Sequence, residues 1–120
     1  MKILVVDDEK DTQRLFEQRF RKERRNGMVE LHFAFSGEEA IIFLQQEEAL
    51  DLSVMLSDIN MPKMSGLELL KIVRKKHPAL EVFMITAYGD EQNRLKALEL
   101  GASDYLTKPI DFRSLKDRIL

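Results

Sequence analysis

The sequence predicts an α/β fold in which a five-stranded parallel sheet is covered by helices on both faces. Short runs rich in Val, Ile and Leu alternate along the chain with longer segments whose apolar residues recur every three or four positions. Most of the short runs are continuously apolar, which is typical of strands buried on both faces. The strand–helix unit occurs five times in 120 residues, and right-handed crossovers leave few topologies for that order.

The first half of the chain contains two strand–helix pairs. The β-branched run at residues 3–6 predicts the first strand, and residues 11–25 carry apolar side chains at helical spacing among charges. Apolar and polar residues alternate over 29–35, which indicates a strand with one wetter face. Residues 36–39, Ser-Gly-Glu-Glu, predict a capping box that begins the second helix.

The second half contains three further pairs. Strands are predicted at residues 52–56, 81–87 and 104–107, and helices at 65–76, 90–100 and 111–120. Gly101 follows the helix at 90–100 in the position that favours the left-handed backbone conformation. Any further domain would lie beyond Leu120.

Composition excludes several classes of function. A length of 120 residues fits one domain with a single core. The net charge of -2 gives no electrostatic basis for nucleic-acid binding. The absence of cysteine excludes disulfides and thiolate chemistry. The sequence shows no signal peptide and no stretch long enough to span a membrane, so we expect a cytoplasmic domain without a membrane partner.

Polar and charged residues stand where four of the predicted strands end. Asp7 and Asp8 follow the first strand, and Asp58 follows the third. Thr86 ends the fourth strand, and Lys108 follows the fifth. Because sites in open parallel sheets form beyond the carboxyl ends of the strands, we expect these five side chains to converge on one edge.

Three carboxylates gathered at one edge need a partner of opposite charge. Two of them about 5 Å apart would repel by roughly 3 kcal/mol at an effective dielectric near 20. Oxygen ligands of this kind suit a hard cation such as Mg²⁺ (or Mn²⁺). A cation together with Lys108 would attract a phosphoryl group, and Thr86 would donate a hydrogen bond to it. A carboxylate nucleophile would then form an aspartyl phosphate.

Four motifs, taken in order, resemble one known family. They are LVVDDE (4–9), SDINMPKMSG (57–66), ITA (85–87) and DYLTKP (104–109). Together they resemble the receiver domains of two-component response regulators, and the resemblance covers essentially the whole chain. It implies a flavodoxin-like, doubly wound fold with strand order 2-1-3-4-5, and a single receiver domain over residues 1–120.

The resemblance also implies a role for each matching site residue. Asp58 resembles the phosphoacceptor, and Lys108 resembles the lysine that pairs with the phosphoryl group. Asp8 and Asp58 resemble direct metal ligands, and Asp7 resembles an acid that acts partly through water. Asn60 resembles the residue whose backbone carbonyl completes the metal site.

The same resemblance implies a conformational switch. Thr86 and Tyr105 resemble the switch pair, and the Lys108–Pro109 bond resembles the family's cis peptide. Three positions depart from the usual pattern: Ser57 replaces an apolar residue, Ser65 replaces an acid, and the bulky Tyr88 follows two residues after Thr86.

The expected function is that of a phosphoprotein in signal transduction or a phosphorelay. A sensor histidine kinase or a phosphotransfer protein would supply the phosphoryl group, and the domain would catalyse only its own phosphorylation and dephosphorylation. The output surface would be the helix at 90–100, the strand at 104–107 and the helix at 111–120. That surface would form a homodimer or bind an output domain.

Three alternative functions are weighed against this one. A phosphatase with an aspartate nucleophile usually carries a second acid two residues later, where this chain has Asn60. A flavin- or nucleotide-binding module needs a Gly-, Ser- or Thr-rich loop after the first strand, but residues 7–10 are Asp-Asp-Glu-Lys and would repel phosphate without a metal. An unphosphorylated scaffold would not need a complete site.

Overall fold

The computed structural model describes all residues from 1 to 120 and contains five strands and six α-helices. The strands are β1 (Lys2–Val6), β2 (Glu30–Ala34), β3 (Leu52–Asp58), β4 (Glu81–Thr86) and β5 (Asp104–Thr107). The helices are α1 (Asp11–Arg19), α2 (Arg21–Arg25), α3 (Gly37–Leu44), α4 (Gly66–Lys76), α5 (Glu91–Glu99) and α6 (Phe112–Ile119). A short 3₁₀ turn spans Glu47–Ala49.

The strands form one parallel sheet in the order β2-β1-β3-β4-β5, which confirms the predicted fold and strand order. One face of the sheet packs against α3, α4 and α5, and the other packs against α1 and α6. Phe16, Phe20 and Phe112 form an aromatic cluster on the second face, with ring centroids 5.0 to 6.1 Å apart. No helix combines the length and the apolar character needed to cross a bilayer.

The third strand is longer than predicted, and this determines how the site is held. Residues 52–56 were expected, but β3 continues to Asp58, which is level with Ile85 on β4. The next amide, of Ile59, donates to the Ile85 carbonyl at 3.1 Å. Asp58 is therefore part of the hydrogen-bonded sheet rather than of the following loop.

Two serines cap helices, in different ways. Ser36 accepts a hydrogen bond from the Glu39 amide at 3.1 Å, but the Glu39 carboxylate accepts from the Phe35 amide, so the predicted capping box is only half formed. A complete box joins Ser65 and Glu68 at the start of α4. Ser65, which departs from the family pattern, thus has a structural role at the helix that follows β3.

The prediction of one continuous helix over residues 11–25 is wrong. The chain breaks at Phe20, whose φ and ψ are −102° and 15°, and α2 follows as a separate short helix. The Lys116 ammonium on α6 donates to the Arg19 carbonyl at 2.7 Å and lies 5.0 Å from the centre of the Phe20 ring. The same ammonium pairs with Glu23 at 3.1 Å. A cation from the far end of the chain thus binds the backbone where the helix breaks.

We predict that Glu23→Gln destabilises the protein near neutral pH but not in acid. The Glu23 backbone amide and the Lys116 ammonium hold the pKa of Glu23 below its ordinary value of 4.5. A carboxyl with a lowered folded pKa contributes stability above its unfolded pKa and loses it as the pH falls through the folded one. Thermal melts of Glu23→Gln and of the unsubstituted protein, from neutral pH to well below pH 4.5, measure the difference in stability.

Glu17→Gln is the matched control, because Glu17 is more exposed and lies 3.9 Å from Arg24. Its melting temperature should stay close to that of the unsubstituted protein. If Glu23→Gln lowers the melting temperature equally at neutral pH and well below pH 4.5, the ion pair with Lys116 is not the cause.

Candidate functional site

The centre of the site is a buried carboxylate paired with a lysine. Asp58 at the end of β3 is only 4% exposed, and the Lys108 ammonium lies 3.2 Å from its Oδ2. Burial raises the pKa of Asp58, and the nearby Lys108 opposes that shift without cancelling it. Partial burial alone would lower the pKa of Lys108, but attraction to Asp58 outweighs it, and the pKa is raised. Each group therefore favours the charge of the other.

Two further acids complete the cluster. Asp7 follows β1 and is buried, while Asp8 is exposed. The Asp7 carboxylate accepts hydrogen bonds from the Glu9 amide and the Thr12 hydroxyl, each at 2.9 Å. Carboxylate oxygens of Asp7, Asp8 and Asp58 all lie within 4.8 Å of one another. The structure thus brings together the three acids that the sequence analysis selected.

The donor set of this cluster fits a hard cation. Three carboxylates face one ammonium, so the local charge is unbalanced, and all the groups offered are oxygens, as Mg²⁺ prefers. Asp8 leaves one side of the cluster open to solvent. Asn60 is exposed in the loop two residues after Asp58. A divalent cation would balance the cluster without any rearrangement of the sheet.

The two ends of the loop after Asp58 pack closely against each other. A Cβ atom on Gly66 would lie 2.1 Å from the Asp58 carbonyl oxygen and 2.7 Å from the Ile59 Cα, so only glycine fits there. The Gly66 amide donates to the Ile59 carbonyl at 2.7 Å, and the buried Ser57 hydroxyl donates to the Asp58 carbonyl at 3.0 Å. Lys63 takes the left-handed conformation, with φ of 66°, within the turn.

The two predicted switch residues lie on the neighbouring strands. Thr86 ends β4, is 2% exposed, and donates its hydroxyl to the Leu106 carbonyl of β5 at 3.3 Å. Its hydroxyl is thus directed to β5 and not to Asp58. Tyr105 is half-buried on β5, and its hydroxyl accepts a hydrogen bond from the Arg94 guanidinium. The Lys108–Pro109 bond is cis, as predicted.

Sequence reasoning missed Thr12 and Arg94, and it noted Ser57 without giving it a role. Thr12 supports Asp7, Ser57 holds the Asp58 carbonyl, and Arg94 contacts Tyr105. Thr12 could have been found, since it lies in the first turn of the helix that begins just after the acids. Nothing local identifies Arg94, because its contact depends on how α5 packs beside β5.

Comparisons with known proteins agree with this geometry. A family model described as "Response regulator receiver domain" matches residues 3–120. The transcriptional regulatory protein CpxR of Escherichia coli K12 is 41% identical over 118 residues, which cover 98% of this chain and 47% of CpxR. CpxR of Klebsiella pneumoniae gives the same identity and coverage. The chain thus spans about half the length of these curated relatives.

Solved structures lead to the same family. The response regulator receiver domain protein from Clostridium thermocellum superposes with a TM-score of 0.87 at 30% identity, covering 98% of this chain and 90% of the other. The Francisella response regulator 1452 receiver domain superposes with a TM-score of 0.83 at 32% identity, covering 98% of this chain and 92% of the other. With the fold, the acidic cluster and the family match in agreement, the chain belongs to the response regulator receiver domain family.

Proposed function

We propose that residues 1–120 form one receiver domain whose Asp58 accepts a phosphoryl group from a phosphohistidine. The donor would be a sensor histidine kinase or a phosphotransfer protein in the cytoplasm. The observation that carries the proposal is the Asp58 carboxylate itself, buried at a strand end 3.2 Å from Lys108 and beside two other acids. Few structural roles need that charge arrangement.

The proposed reaction is a direct transfer. An Asp58 carboxylate oxygen attacks phosphorus, the bond between phosphorus and the donor imidazole nitrogen breaks, and an acyl phosphate forms on Asp58. Lys108 pairs with a phosphoryl oxygen, and Thr86 donates to another. Asp8, Asp58 and the Asn60 carbonyl would hold Mg²⁺ (or Mn²⁺). Asp7 would act partly through water. The cation would neutralise the negative charge that the phosphoryl group adds.

A groove beside the site supports docking of a macromolecular donor. It has a volume of about 520 Å³ and runs past Lys108 between α1 and the start of α6. Leu15 and Ile110 give it apolar walls, and Arg19 gives it a basic edge. A groove of this size exceeds what a free phosphate needs. The groove leaves room for part of a donor protein beside Lys108, and the domain would catalyse only its own phosphorylation and dephosphorylation.

The proposed output is a change on the side of the molecule formed by α5, β5 and α6. Thr86 would leave the Leu106 carbonyl for the phosphoryl group, and Tyr105 would change its orientation. The altered surface would bind an output domain beyond Leu120 or a second copy of the chain. Because the relatives are named transcriptional regulatory proteins, we propose that the complete protein regulates transcription.

The alternative functions have less support. A phosphatase would use a second acid at the position of Asn60, and a flavin- or nucleotide-binding module would need a Gly-, Ser- or Thr-rich loop where residues 7–10 are Asp-Asp-Glu-Lys. An unphosphorylated scaffold leaves the Asp58–Lys108 pair without a purpose.

We predict that Asp58 is the single phosphorylated residue. Incubation with Mg²⁺ and a small acyl phosphate should add one hydroxylamine-labile phosphoryl group, measured as a change in intact mass. Asp58→Asn should abolish the adduct because the attacking oxygen is lost. Asp104→Asn, which instead breaks the ion pair between Asp104 on β5 and Arg118 on α6, should retain the adduct. An adduct that persists in Asp58→Asn would refute the assignment.

We also predict that Mg²⁺ stabilises the fold. A cation that binds only the native state adds RT ln(1 + [L]/Kd), or about 1.4 kcal/mol at ten times Kd. Thermal melts with and without Mg²⁺ measure this increase. Asp8→Ala should abolish the stabilisation by Mg²⁺, because the substitution removes the exposed carboxylate that would bind the cation. An equal increase in Asp8→Ala, or none at saturating Mg²⁺, would exclude the proposed metal site.

A further inference from the structure

Arg94 on α5 makes three polar contacts that are unusual for one half-exposed side chain. Its Nη1 donates to the Tyr105 hydroxyl, and its guanidinium carbon lies 4.7 Å from the centre of the Tyr105 ring. Its Nη2 pairs with Glu91, one turn earlier, at 2.9 Å. One amine of the guanidinium thus holds Tyr105 while the other is fixed to its own helix.

Few other contacts tie α5 to the sheet. Ala97 is the only buried residue of the helix, and Leu95 and Leu98 are 59% and 41% exposed. The bond from Arg94 to Tyr105 is the one side-chain hydrogen bond between α5 and β5. A change in the orientation of Tyr105 would therefore alter how α5 packs against the sheet.

The contact belongs to the arrangement in which Thr86 is turned away from Asp58. The Thr86 hydroxyl donates to the carbonyl of Leu106, the residue directly after Tyr105 on β5. Thr86 from β4 and Arg94 from α5 thus hold adjacent positions of the same short strand. Both bonds are present together, so both stabilise one state of the strand.

One donor of the Arg94 guanidinium gains nothing from the held arrangement. The Nε is buried without a hydrogen-bond partner. A buried donor that lacks a partner is unfavourable and regains its bonds to water when the side chain moves outward. The remaining 32% exposure of the side chain leaves a path to solvent. The unpartnered Nε therefore reduces the free energy that the Arg94 contacts contribute to the held state.

We propose that Arg94, fixed by Glu91, is a positioning residue that holds Tyr105 in the resting orientation and so opposes phosphorylation at Asp58. This inference rests on the proposed function. By thermodynamic reciprocity, a contact made only in the resting state weakens binding of any phosphoryl group, and its removal strengthens that binding by the same factor.

The test compares Arg94→Met with the unsubstituted chain. Binding of beryllofluoride in the presence of Mg²⁺, followed by amide resonances, should be about fivefold tighter in the variant, the size expected for the loss of one net hydrogen bond. In the free proteins, scalar couplings should show one Tyr105 χ1 rotamer in the unsubstituted chain and a mixture in Arg94→Met. This second measurement does not depend on phosphoryl chemistry.

Lys96→Met is the matched control, since Lys96 is an exposed cation on the same helix. It should change neither measurement. Tyr105→Phe removes the accepting hydroxyl, so Arg94→Met should have a smaller effect in that background. If Arg94→Met unfolds, as thermal melts would show, Glu91→Gln loosens the same side chain and should give a smaller shift in the same direction.

Two results would overturn the inference. One is beryllofluoride binding that is unchanged or weaker in a folded Arg94→Met protein. The other is a single Tyr105 rotamer that persists in that variant. If the unsubstituted protein itself fails to bind beryllofluoride, the proposed function fails, and the rotamer measurement alone decides whether Arg94 holds Tyr105.

Discussion

The sheet forces three carboxylates to within 4.8 Å of one another, with one ammonium to oppose them. Each carboxylate pair at about 5 Å repels by roughly 3 kcal/mol at an effective dielectric near 20. The fold withstands this repulsion because Asp58 belongs to a strand bonded on both sides, and Asp7 accepts two hydrogen bonds of its own. A cation bound among these carboxylates would relieve the repulsion.

Rigidity on one side of the site and mobility on the other follow from the packing. Gly66 lies so close to the Asp58 carbonyl that α4 cannot shift without moving β3, and the Ser57 hydroxyl fixes the same carbonyl. Across the site, the side chains of Thr86 and Tyr105 each make one hydrogen bond, and α5 buries only Ala97. Chemistry at Asp58 would therefore be transmitted toward α5 and β5, where the structure yields most easily.

The topology and the acidic cluster were predictable because they depend on local patterns. Continuous apolar strands implied a sheet covered on both faces, and parallel strands placed Asp58 and Lys108 at one edge. The helix break at Phe20 was not predictable, since it involves Lys116, which lies 97 positions after Arg19. The hold of Arg94 on Tyr105 was missed for the same physical reason: it arises from the packing of one element on another and leaves no trace in periodicity.

The three acids are proposed to form a cation site that takes part in the phosphorylation of Asp58. A crystal structure of the protein grown with Mn²⁺ and beryllofluoride tests this proposal most directly, because anomalous scattering locates the metal without assumptions about its ligands. We expect one Mn²⁺ within coordination distance of Asp8, Asp58 and the Asn60 carbonyl, and a beryllofluoride group on Asp58 that contacts Lys108. Metal bound elsewhere, or a beryllofluoride group on another residue, would contradict the account.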